Sequence, residues 1–174
     1  MTNAMIPGLN GPKMSSSVPD SKIDFLDPSE VVEKKISSAI CEDRILDGNG
    51  LLPILKEILF PFSQLRIEHL SQHPDRTERS HSNDVGSTDR TFCCNGSPAG
   101  TLFSIPINSE IGSSTKFYCT YADLEEDFLA GHISSAELRP AVAVALNRML
   151  DPLREAYQEN IEWQSVTELA YSKS

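Results

Sequence analysis

Residues 134–153 read SSAELRPAVAVALNRMLDPL, and this stretch decides the fold class. Ser134 followed three positions later by Glu137 forms a capping box, which satisfies backbone N–H groups that a helix start leaves unpaired. Leu138, Val142, Leu146, Met149, Leu150 and Leu153 then recur at helical spacing as one apolar stripe. Pro140 lies too deep for the first turn, so the spacing predicts a helix that kinks at Pro140 or effectively begins there.

The same signals recur outward from this stretch. Asp27, Pro28 and Glu30 read as an N-cap, a first helical residue and a capping-box partner, with Val31, Val32, Ile36, Ala39 and Ile40 following at helical period. From about Asn49 to Phe60 the residues are apolar nearly all round. That pattern predicts a buried helix, with Pro53 in its first turn and Pro61 ending it. Thr120 with Asp123, and Gly131 beyond Ala130, bracket another helix over 121–130. Residues 101–107 and 116–120 are short β-branched and aromatic runs separated by Asn, Ser and Gly, a hairpin pattern. The fold class is therefore mainly α, with four or five helices and one small hairpin.

Between these elements the composition shifts. Residues 67–100 are polar, interrupted by Gly and Pro, and show no apolar period, so a disordered insertion is expected there. The resulting organisation is a loop and linker over 1–30, a first helical part over 31–66, the insertion, a second part over 101–160, and a C-terminal tail over 161–174. His69, His73 and His81 lie near or within the insertion. No acidic or thiol partner stands at a helpful spacing, so no metal site is expected.

Fifteen Lys and Arg against twenty-five Asp and Glu leave a net charge of −10, which argues against a nucleic-acid binder working through its whole surface but not against a local basic site. No run of eighteen apolar residues exists, and the first residues carry neither the charged nor the apolar region of a secretory signal. No membrane contact and a cytoplasmic location are expected. The four cysteines, Cys41, Cys93, Cys94 and Cys119, form no Cys-x-x-Cys pair and read as reduced thiols.

One short string carries chemistry. Lys13-Met14-Ser15-Ser16-Ser17 places a lysine beside consecutive serines on a loop bounded by Gly8, Gly11 and Pro12. A point charge with hydroxyl and backbone N–H donors suits a triphosphate whose charge grows on the leaving side during transfer. On its own the string is a weak signal that reads more readily as a solvated loop.

Its context closely resembles the second signature of tyrosyl-tRNA synthetases of the eukaryotic and archaeal type. The matching strings are Met5-Ile-Pro-Gly-Leu9, Lys13-Met-Ser-Ser-Ser17, Asp20-Ser-Lys-Ile-Asp24 and Leu26-Asp27. The resemblance continues through Val31-Val-Glu-Lys-Lys-Ile36, Ala39-Ile-Cys41, Asn49-Gly-Leu-Leu52 and Phe60-Pro61. It resumes after the insertion with Tyr121-Ala-Asp-Leu-Glu-Glu-Asp-Phe128, Ala143-Val-Ala-Leu-Asn147 and Leu150-Asp-Pro-Leu-Arg-Glu155.

The resemblance implies a class I aminoacyl-tRNA synthetase, which makes tyrosyl-adenylate from tyrosine and ATP with Mg2+ and then charges tRNA(Tyr). By it, Lys13 meets the departing pyrophosphate, and Ser15, Ser16 and Ser17 hold the phosphates. The rest of the chain is expected to be the helical anticodon-binding domain. Lys34 and Lys35 would meet tRNA, with Ser37 and Ser38 where further basic residues are common, and Glu137 would read the first anticodon base. Ile111 stands before Gly112 where the family places a stacking aromatic. The family's Rossmann half, with the tyrosine pocket and the main dimer surface, is expected to lie upstream of the motif and is not found in these residues. The chain alone is therefore expected to be inactive. Two readings follow: the C-terminal part of a tyrosine–tRNA ligase, or a non-catalytic tRNA-binding or protein-interaction module derived from one.

Overall fold

A 25-residue helix, α5 (Ser135–Glu159), is the spine on which the other elements pack. The structure, a computed structural model, describes residues 8–10, 21–72, 92–94, 96–109 and 112–171. In chain order the elements are α1 (Ser29–Ser38), α2 (Leu52–Ile54), a π-helical turn (Leu55–Leu59), α3 (Phe60–Gln72), β1 (Phe103–Ser109), β2 (Gly112–Tyr118), α4 (Tyr121–Ala130), α5 and α6 (Ile161–Tyr171). The strands form one antiparallel hairpin running from Phe103 opposite Tyr118 to Ser109 opposite Gly112.

α5 starts at its capping box, as the sequence predicts, but it neither begins at nor stops at Pro140, running on through Pro140 and Pro152. Both prolines are exposed, so the carbonyls deprived of their usual N–H partner lie at the wet side of the helix. The buried stripe comprises Leu138, Val142, Ala145, Leu146 and Leu150, and α1 and β1 both pack against α5.

Two helix boundaries differ from the sequence reading. α1 is capped at Pro28 without a side-chain hydrogen bond, so the Asp27–Glu30 capping box does not form. The Asp27 carboxylate instead accepts from the Asp24 N–H at 2.8 Å and the Lys35 ammonium at 2.6 Å. Pro61 does not end its helix either. Phe60 N–H donates to the Leu55 carbonyl, five residues back. Widening the turn just before Pro61 makes room for its ring, and the helix continues to Gln72. Pro53 sits in the first turn as expected.

Asn49 sets the entry to that helix. Its side-chain oxygen accepts from the Leu51 and Leu52 N–H groups at 2.9 and 3.0 Å, and its amide donates to the Ile45 carbonyl at 3.2 Å. α4 has the predicted ends: the Thr120 side chain accepts from Asp123 N–H, and Gly131 takes the left-handed φ of 76° that a residue with a Cβ adopts at a cost.

Both ends of the expected insertion over 67–100 are ordered in the described residues. α3 covers its start, and Phe92, Cys93, Ser97 and Thr101 are buried at its end. The 92–94 segment lies along β1, with Ser104 N–H donating to the Phe92 carbonyl at 3.3 Å and Cys94 N–H to Ser104 Oγ at 2.9 Å. Residues 73–91, with His73 and His81, lie outside the described residues. The expected tail from 161 is helical through Tyr171, held to α5 by an edge-on contact of Tyr157 with Trp163 at 5.3 Å. None of the four cysteines is in a disulfide. Among the described residues no helix is long and apolar enough to cross a membrane.

Candidate nucleotide-contacting sites

The Lys13–Ser17 string itself lies outside the described residues, but its supports do not. Leu9 N–H donates to the Ser21 carbonyl at 3.0 Å, so the chain on the two sides of the string is tied together. Ile40 N–H donates to the Leu9 carbonyl at 2.8 Å, and Gly50 N–H to the Ile40 carbonyl at 2.7 Å. Leu9 is buried, and a Cβ on Gly50 would run into the Leu9 backbone, so only glycine lets these strands of chain approach. The base of the string is thus fixed to the helical body at the end of α1.

The two candidate lysines of α1 have different surroundings. Lys34 is exposed. Lys35 is buried and ion-paired with Asp27, both side chains being at most 15% exposed. The sequence reading offered both to tRNA, but the structure leaves only Lys34 open to solvent. Arg139 locks the far end of this helix. Its guanidinium donates to the carbonyls of Ile36, Ser37, Ala39 and Cys41. The Asp43 carboxylate accepts from Ser135 N–H, and that bond holds the carboxyl below its usual range.

Glu137 stands apart from both, at the start of α5. One carboxylate oxygen accepts from Ser134 N–H at 2.8 Å and Ser134 Oγ at 2.7 Å. Among the described residues its other oxygen accepts no hydrogen bond. Glu137 lines a cleft of about 490 Å³ between α5, β1 and the 92–94 segment, with Ser104, Pro106, Pro140 and Val144 among the walls. Ile111 lies outside the described residues.

Behind this cleft, Asp127 ties β2 to the turn that leads into α5. It accepts from Lys116 Nζ at 2.7 Å, Tyr118 OH at 2.9 Å and His132 Nδ1 at 3.0 Å. Partial burial pushes its carboxyl up, but the three donors outweigh that and hold it at about 2. Burial, and the hydrogen bond to Asp127 next to it, push the Tyr118 hydroxyl far above its usual range. Sequence reasoning missed this cluster because its members come from three elements and share no spacing. Among the described residues no group of three or more His, Cys, Asp or Glu side chains gathers that could hold a metal.

Residues 1–151 match the family model described as class I tRNA synthetases (W and Y). Over 171 residues, 98% of its length, the chain is 33% identical to the cytoplasmic tyrosine–tRNA ligase of Danio rerio, of which it covers 25%. It is 30% identical over 174 residues to the cytoplasmic enzyme of Saccharomyces cerevisiae, covering 36% of that protein. The chain thus spans about a quarter to a third of the curated relatives it matches. The fold is similar to that of tyrosyl-tRNA synthetase from Aeropyrum pernix, with a TM-score of 0.64 at 22% identity over 97% of this chain and 38% of that one.

Proposed function

The chain belongs to the class I tRNA synthetases of the tryptophan and tyrosine type, and from that premise we propose that it supplies part of a cytoplasmic tyrosine–tRNA ligase. Its share of the work is the Lys13–Ser17 segment that holds ATP phosphates and a helical region that takes the anticodon of tRNA(Tyr). The observation that carries this reading is the cleft of about 490 Å³, with the Glu137 carboxylate set in its wall and one oxygen left for a ligand. A carboxylate accepts from base amino groups, and such base-edge contacts carry sequence information.

In the chemical step the Lys13 ammonium would neutralise charge growing on the departing pyrophosphate, while Ser15, Ser16 and Ser17 hold phosphate oxygens with hydroxyl and N–H donors. The Leu9–Ser21 hydrogen bond would anchor the chain on both sides of that segment. Mg2+ would enter with the ATP phosphates, since the described residues gather no metal-binding group of their own.

The test is Lys13→Ala in the complete ligase. Adenylate formation should slow by orders of magnitude with tyrosine affinity unchanged, because the charge is met only as it develops. Equal losses in tyrosine affinity and rate would contradict that role. A second reading is a non-catalytic tRNA-binding or protein-interaction module derived from such an enzyme. It predicts RNA binding by this chain without tyrosine-dependent exchange of pyrophosphate into ATP.

A further inference from the structure

α5 carries three arginines with different surroundings. Arg139 is committed to the carbonyls at the end of α1. Arg154 donates to Asp151, Ser29 and Asn147. Arg148 is exposed and, among the described residues, makes no hydrogen bond or ion pair. Among the described residues it is also the one cation lining the cleft that contains Glu137. Lys116, nearby on β2, is spent on Asp127 at 2.7 Å.

The rest of the lining is mostly apolar, with Pro106, Ala141 and Val144 among it and Ser104 as a polar member. The opposite wall, Phe92–Cys94, is pinned along β1 and backed by the Phe62 ring, 5.8 Å from that of Phe92. Eleven residues separate Glu137 from Arg148, about 16 Å of helix axis. A slot with a carboxylate at one end, apolar walls and a guanidinium at the other matches a base followed along the strand by a phosphate. The chain's net charge of −10 makes the local cation necessary, because a phosphodiester would otherwise meet only repulsion here.

We propose that Arg148 is a second RNA-contacting residue of this cleft, binding a phosphate of the strand whose base Glu137 reads. Arg148 positions and Glu137 specifies. This inference rests on the anticodon-binding reading of the cleft, and the experiment separates the two.

Binding of the 174-residue chain is measured against two RNA stem-loops, one with the tyrosine anticodon and one with its first base replaced, across a range of salt. Arg148→Ala should weaken both by about two- to fivefold, as expected for an exposed charge pair. A single-strand phosphate contact contributes about 0.7 to the salt slope, so the loss of affinity between about 50 and 200 mM salt should shrink about 2.6-fold. Arg148→Lys should keep the slope, and both variants should keep the melting temperature, since the side chain has no partner among the described residues to lose. An unchanged affinity and slope in Arg148→Ala, with Glu137→Gln altering base preference, would overturn the role of Arg148 and leave the cleft reading standing. No binding of either stem-loop by the unaltered chain would overturn both.

Discussion

Lys34 and Lys35 are neighbours in sequence with opposite tasks. A helix turns about 100° per residue, so Lys35 shares the face of Val32 and Ile36, both fully buried, while Lys34 points outward. Lys35→Ala would leave the Asp27 carboxylate partly buried without its cation. It should cost about 1.5–3 kcal/mol in a urea titration, whereas Lys34→Ala should leave stability unchanged and weaken RNA binding. That division was available from the sequence by counting from the apolar stripe. The Asp127 cluster was not, because its donors meet only through the hairpin and the α4–α5 turn. Its carboxyl is held at about 2 in the fold against about 3.9 in an unfolded chain. A depressed carboxylate stabilises the fold above its unfolded pKa and loses that contribution as pH falls toward the folded one. Asp127→Asn should therefore cost up to about 2 kcal/mol at pH 7. The difference from the unaltered chain should shrink as pH drops from about 4 to about 2. A constant difference across that range would contradict the role given to the cluster.

At the scale of elements, the apolar periods and caps at Thr120 and Ser134 located the helices, and the β-branched runs located the hairpin. The prolines misled. Pro61 read as a helix end, and Pro140 as a kink or a start, because sequence alone does not show a π turn widening before one ring or a wet helix face beside the other. Since Pro140 sits inside α5, the Ala136 carbonyl lacks its usual intrahelical N–H partner. Pro140→Ala should raise stability by about 1–3 kcal/mol in urea. A destabilised variant would show that the proline ring, which lines the cleft, is required for packing there. The Asp27 box failed for a different reason. Lys35 competes for the same carboxylate from within α1, and a charged pair in a partly buried setting outweighs a cap.

The whole molecule is a helical body whose spine, α5, holds the core with one face and presents Glu137 and Arg148 to one cleft. The family strings in the sequence were enough to expect that body and to nominate Glu137. They did not show that the 92–94 segment, read as part of an insertion, forms a wall of the cleft, because that wall depends on pairing with β1. The account stands or falls on whether this cleft reads a base. The most direct measurement compares the affinity of the chain and of its Glu137→Gln variant for stem-loops with the tyrosine anticodon and with its first base replaced, at matched salt. Gln keeps an acceptor for Ser134 and so preserves the cap, while presenting a different donor and acceptor pattern to the base. The unaltered chain should prefer the tyrosine anticodon, and the variant should lose that preference while keeping its melting temperature. A preference carried over intact into Glu137→Gln would reduce Glu137 to a helix cap and contradict the account.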